Sequence, residues 1–220
     1  MKKYFFFAAF IAFAFAASAQ EIKVKEDYAK IGGANNPVLT VYIGGADQTT
    51  VEKAWKSLMK DYGAKVSYKD VLFSQDANIK DMSTKTVDTY ATAEPQKDGT
   101  VKLTVAFDLG GGFVSSSTHP DQYKVAEKMV RKFAVDVSKQ AVSDKLWDEK
   151  KKQKTLEGNL ADLQKAKSKL EKEILDYQDR IKDDQKDIET NKSDQEKATQ
   201  QIEDQKKVVS DVQDKLDAIK

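Results

Sequence analysis

From Leu156 to Ile219, apolar residues return at alternating steps of four and three, and nothing else in this 220-residue chain restricts its architecture so tightly. With Leu160 as position a of a heptad, the a positions are Leu160, Lys167, Ile174, Ile181, Ile188, Gln195, Ile202, Val209 and Leu216. The d positions are Leu156, Leu163, Leu170, Tyr177, Asp184, Asn191, Ala198, Gln205, Val212 and Ile219. Fourteen of these nineteen are apolar and the residues between them are nearly all charged or polar, which is a coiled-coil pattern and not that of a solvated single helix. β-branched residues at a with leucine at d, as in the first half, favour a parallel two-stranded coil. The expected partner is therefore a second copy of the chain in a parallel dimer, with another coiled-coil protein as the alternative. Lys167, Asp184, Asn191, Gln195 and Gln205 weaken the seam; they fix its register or keep it open to partner exchange. The weakest run is Asp184 to Gln195, where Ser193 and Glu196 have capping-box spacing. A turn near Thr190 to Ser193 would fold the tail into an intramolecular helical hairpin, whereas the unbroken heptad phase argues for continuity.

Ahead of this tail the composition is different. Nine of the ten glycines and all three prolines lie before Val142. The chain divides on this reading into residues 1–19, 20–142 and 143–220. The first nineteen place Lys2 and Lys3 before an apolar run from Tyr4 to Ala17, followed by Ala17-Ser18-Ala19, which is the order of a secretory signal peptide cleaved after Ala19. The run is shorter than the roughly 20 residues needed to span a bilayer, which disfavours a retained anchor. Export to the periplasm or beyond the cell is the expectation. There is no cysteine, so disulfides, thiolate metal sites and cysteine nucleophiles are excluded together. Thirty-seven basic against 36 acidic residues give no general attraction for nucleic acid or anionic lipid.

Within 20–142 the period alternates between two and 3.6. "PVLTVYI" reads as a strand. "TTVEKAWKSLMKDYG" reads as a helix with Thr49 and Glu52 at capping-box spacing and Gly63 at its end. A strand is expected around Val66 to Phe73. "KTVDTYATAE" and "TVKLTVAFDL" form a hairpin about Asp98-Gly99, and a second helix begins near Pro120. The order strand, helix, three strands, helix predicts an α+β domain: a small antiparallel sheet with two helices packed on one face, the second leading into the coiled coil.

One stretch, "DLGGGFVSSSTHPDQY", invites a chemical reading. Gly110, Gly111 and Gly112, with the hydroxyls of Ser115, Ser116, Ser117 and Thr118, form a candidate anion-binding nest beside the start of the second helix, next to the only histidine, His119. The competing reading is a strand-to-helix connection in which Thr118 caps the helix and Pro120 opens it. No lysine follows in phosphate-loop order, and "GGG" lacks dinucleotide-fingerprint spacing. His119 without a second histidine or a cysteine has no zinc ligand set. No catalytic, metal or cofactor-binding residue is assigned, and the expectation is that the protein is not an enzyme and carries no cofactor.

The segments "NPVLTVYI", "KDYGAKV" and "TVAFDLGGGFVSSSTHPDQYKVAEKMV", together with the lysine- and glutamate-rich tail, resemble a family of uncharacterised exported proteins of Bacteroidota-type Gram-negative bacteria along nearly the whole mature chain. The resemblance implies a cell-envelope setting and supplies no activity. A leader followed by a coiled coil is also superficially similar to the trimeric periplasmic chaperones, although those carry their arms within a small oligomerisation body. The functional expectation is a non-enzymatic envelope protein with an α+β head on a self-associating helical stalk. The alternatives are a periplasmic holdase and a small-ligand or anion-binding domain using the Gly110 to Thr118 loop.

Overall fold

The structure, a computed structural model, describes residues 22–218. The expected signal peptide and the last seam position, Ile219, lie outside the described residues. Strands β1 (Lys25–Ile31) and β2 (Ala34–Ile43) precede helix α1 (Gln48–Asp61). Strands β3 (Lys65–Tyr68), β4 (Leu72–Ala77), β5 (Val87–Pro95) and β6 (Val101–Asp108) follow, and then helix α2 (Pro120–Asp217). The fold is α+β, with one six-stranded sheet in the order β1-β2-β6-β5-β4-β3, antiparallel throughout, and a long C-terminal helix. By its internal contacts the chain forms two compact units that divide between Glu149 and Lys150.

The sheet has two strands more than the sequence pattern predicts. The first is β1, whose residues Lys25 to Lys30 are mostly exposed and carry four charges, as suits an edge strand that must resist pairing with another chain. It turns into β2 at Gly32 and Gly33, both at positive φ (65° and 88°), the requirement of a two-residue hairpin turn. The second arises because the single strand expected around Val66 to Phe73 is a hairpin: β3 and β4 pair antiparallel from Lys65↔Gln75 to Tyr68↔Leu72, with the reversal at Lys69 to Val71. The β5–β6 hairpin turns at Gly99 (φ 82°), with Asp98 accepting from the Thr100 N–H at 3.0 Å.

Helix α1 starts two residues earlier than expected. Asp47, not Thr49, is its N-cap, accepting from the Thr50 N–H at 2.7 Å. An aspartate reaches this amide with an ionised acceptor, and the hydrogen bonds from Thr50 hold its carboxyl below the ordinary carboxylate value. The helix ends as the sequence indicates. Gly63 takes φ 78°, with Gly63 N–H donating to the Lys60 carbonyl and Ala64 N–H to the Met59 carbonyl, the paired bonds of a Schellman motif.

One face of the sheet holds the core. Leu39, Val41 and Ile43 of β2 and Val101, Leu103, Val105 and Phe107 of β6 alternate into it, and Val51, Trp55 and Met59 of α1 lie over them. The first turns of α2 add Ala126, Val130, Phe133, Ala134 and Val137 to the same cluster. Trp55 stands between the layers, edge-on to Phe107 at 6.4 Å and to Phe133 at 5.0 Å. Its indole N–H is buried with no hydrogen-bond partner among the described residues, a cost of about 1–3 kcal/mol that the ring's burial exceeds. The other sheet face carries only a small cluster of Ile31, Val38 and Ala106 with Val71, Tyr90 and Phe113 beside it. Trp55→Ala removes the ring that all three layers share, so unfolding of the first unit is expected to lose about 3–5 kcal/mol, measured by urea denaturation.

Candidate functional site

Past β6 the chain folds back on itself. Asp108 accepts from the Gly110 N–H at 2.8 Å, Leu109 N–H donates to the Gly112 carbonyl at 3.1 Å, and Val114 N–H returns to the Phe107 carbonyl at 2.9 Å. Gly110 is the residue that this reversal places at positive φ (80°). The three glycines therefore form a tight turn that lays Phe113 beside Asp108 in an isolated bridge.

The hydroxyl run then satisfies itself. The Oγ of buried Ser115 accepts from the Thr118 N–H at 3.0 Å and lies 2.6 Å from Thr118 Oγ1 and 3.1 Å from Ser117 Oγ. His119 Nδ1 lies 2.9 Å from Thr118 Oγ1 and 3.2 Å from the Phe113 carbonyl oxygen. Pro120 is the first helical residue, so His119, not Thr118, stands at the N-cap position of α2, its carbonyl accepting from the Tyr123 N–H at 2.8 Å. The Thr118 hydroxyl faces Ser115 and His119 instead.

A residue that the sequence reading did not single out completes the loop. Glu26 of edge strand β1 receives the Ser116 N–H on Oε1 at 2.8 Å and the Ser116 hydroxyl on Oε2 at 2.5 Å. A carboxylate from 90 residues away thus occupies donors of the candidate nest, and its charge opposes any incoming anion. Nearby Tyr123 has its phenol raised above the ordinary tyrosine value, first by burial and then by the negative charges of Glu26 and Glu127. No local pattern marks Glu26, because a charged residue on an edge strand looks the same whether or not it has a partner.

A second concavity lies within the first unit, between α1 and the early turns of α2. It encloses about 800 Å³. Leu58, Tyr62, Ile79, Val125, Met129 and Phe133 give it an apolar lining, and Asp61, Lys80, Asp81, Lys128, Lys132 and Asp136 add charges of both signs. Lys132 is paired with Asp136 at 2.5 Å, which holds its ammonium above the ordinary lysine value.

In the second unit α2 runs unbroken through Thr190 to Ser193, so the hairpin turn considered there does not form. The Thr190 hydroxyl donates back to the Lys186 carbonyl at 3.0 Å, and Gln195 Nε2 donates to Asn191 Oδ1 at 2.6 Å, so both polar groups are accommodated within a continuing helix. The large seam side chains from Leu156 to Leu216 are 54–68 % exposed. Charged pairs one turn apart, such as Lys167 with Glu171, Lys182 with Asp179 and Lys197 with Asp194, support the helix.

Among the described residues there is no group of three or more His, Cys, Asp or Glu side chains placed to hold a metal ion, and no helix long and apolar enough to cross a membrane. No protein-family model matches the chain, and no curated protein or solved structure matches it.

If Glu26 clamps the loop, Glu26→Gln is expected to speed amide exchange at Ser116 and to lower the Tyr123 phenol toward the ordinary value of about 10. The stability carried by that raised phenol is fully present below the unfolded-state value and is lost as pH rises through the higher folded value. The variant should therefore show a weaker alkaline dependence of its unfolding midpoint. Exchange and phenol titration that both stay at wild-type behaviour would reject the clamp.

Proposed function

We propose that this chain is a non-enzymatic protein of the cell envelope, periplasmic or secreted, in which an α+β head is carried on a self-associating helical stalk that spaces it or docks it. The observation that carries this reading is the exposed heptad seam on the unbroken second part of α2. A stripe of large aliphatic side chains along a soluble helix leaves far more apolar surface uncovered than the roughly 300–600 Å² patch of an ordinary monomer, and helix pairing is the direct way to cover it. The envelope setting rests on the leader-like first nineteen residues and on the family resemblance. The loop from Gly110 to His119 supports a structural assignment, since its hydroxyls, its imidazole and Ser116 are engaged by the chain itself.

Light scattering on the full chain should give the mass of a dimer or larger oligomer, with a small-angle scattering dimension above roughly 120 Å if the helices lie extended at 1.5 Å per residue. Leu163→Asp with Ile174→Asp places carboxylates in the seam at several kcal/mol each, so association should weaken by more than about a hundredfold while the head still unfolds cooperatively. A chain that stays monomeric at all concentrations rejects the reading.

A second reading, a holdase, is favoured by the α1–α2 cleft, whose apolar lining and Met129 suit an extended, variable client. Near-equal stoichiometry should then suppress aggregation of an unfolding client protein, and Leu58→Asp with Met129→Asp should abolish that suppression. No suppression by the wild type sets this reading aside.

A further inference from the structure

A strict seven-residue stripe drifts about 20° per heptad around a straight α-helix. From Leu156 to Leu216 it therefore winds well around α2, and only a surface that winds with it can follow it. Such a surface is a second helix supercoiled at the same pitch. The other helix among the described residues, α1, has 14 residues, or about 21 Å, against about 90 Å of stripe. No other helix among the described residues can cover the stripe, so the occupant is sought in another molecule, and the polar seam residues identify which one.

We propose that the seam is covered by the same segment of a second copy, parallel and in register, and that the polar layers hold that register. The inference rests on the self-association proposed above. In this arrangement each of the eighteen layers from Leu156 to Leu216 faces its own copy, so thirteen layers are apolar on both sides. Lys167, Asp184, Asn191, Gln195 and Gln205 meet only themselves, and the amides can hydrogen-bond across the seam. Slipping one copy by a heptad sets Tyr177 against Asp184, Ile188 against Gln195 and Ala198 against Gln205, and leaves seven of sixteen layers apolar on both sides. Each mixed layer buries a polar group with no partner.

The antiparallel alternative is also poorer. Full overlap, with Leu156 facing Leu216, sets Asp184 against Ile188 and Asn191 against Ile181, and keeps ten of eighteen layers apolar. A shorter antiparallel overlap that pairs Lys167 with Asp184 ends near Gln195 and leaves Ile202, Val209, Val212 and Leu216 uncovered. Flanking charges point the same way. In parallel order Asp187 at position g faces Lys192 at position e of the other copy, twice per dimer. In full antiparallel order the two Asp187 residues face each other, against a gain from Arg180 facing Asp194. The parallel arrangement sets Lys167 and Asp184 each opposite a like charge. Each has an opposite charge one turn away on its own helix, Glu171 at 3.4 Å from Lys167 Nζ and Arg180 four residues before Asp184.

The absence of cysteine makes the register directly readable. Under mild oxidation the full chain carrying Leu163→Cys alone, or Val212→Cys alone, should form disulfide-linked dimers almost completely. Mixtures of Leu163→Cys with Leu170→Cys or with Val209→Cys, tagged to differ in mass, should give no linked heterodimer above background. A dominant 163–209 link overturns the parallel order, and a dominant 163–170 link overturns the register. A dimeric mass with no 163–163 link overturns this inference while leaving self-association standing; a monomeric mass removes the reading beneath it. Replacing the four uncharged-or-acidic layers together (D184L, N191L, Q195I, Q205L) should let the 163–170 link appear, and a register that stays single would show that these residues do not hold it.

Discussion

Trp55 is the side chain on which the head depends. It sits with no exposed surface between Phe107 of β6 and Phe133 of α2, meeting both rings edge-on, so one residue of a 14-residue helix ties the sheet to the start of the long one. With no cysteine, and so no disulfide, to restrict the unfolded chain, this packing and the aliphatic rows of β2 and β6 offset the conformational entropy of folding. The buried, unpartnered indole N–H shows which contribution dominates, because the site keeps a large ring at the expense of one hydrogen bond.

The same packing determines what the glycine- and hydroxyl-rich loop can do. With β6 and α2 fixed on the core, the residues between them must reverse direction and start a helix within a dozen positions. Gly110 supplies the backbone freedom, Ser115 and Thr118 bond each other, and Glu26 ties Ser116 to the sheet edge. A loop rich in donors is attractive to an anion only while those donors point at solvent, and here protein acceptors hold several of them. A concavity of the first unit lies elsewhere, between α1 and the early turns of α2, and its lining holds both apolar and charged groups.

The second unit follows a different logic. Its helix is supported locally by charged pairs one turn apart, and the other helix among the described residues, α1, is too short to cover its seam. Matching of apolar to apolar and polar to polar layers is a property of the pair and not of one helix. In the proposed pair, the polar residues that look like flaws along a single stripe act as specificity devices.

Much of this was legible without coordinates. The heptads, α1 with its Gly63 stop, the Asp98-Gly99 hairpin and the alternation of β6 are periodic or local features, and local chemistry is what a sequence displays. The α+β class followed from them. The edge strand β1 was not legible, because an edge faces solvent on most of its surface and its charges hide its period. The β3–β4 reversal was missed because Lys69-Asp70-Val71 lacks the glycine or proline that normally announces a turn. The cap of α1 moved from Thr49 to Asp47 because the carboxylate reached the Thr50 amide. Above all, tertiary structure alone decided that Glu26 would meet Ser116, since only the pairing of β1 beside β2 brings together two residues 90 positions apart. What the sequence determined by itself was the repeat and the local elements, whose causes lie within a few residues; tertiary structure decided which polar groups were already satisfied, because that depends on what folding brings near.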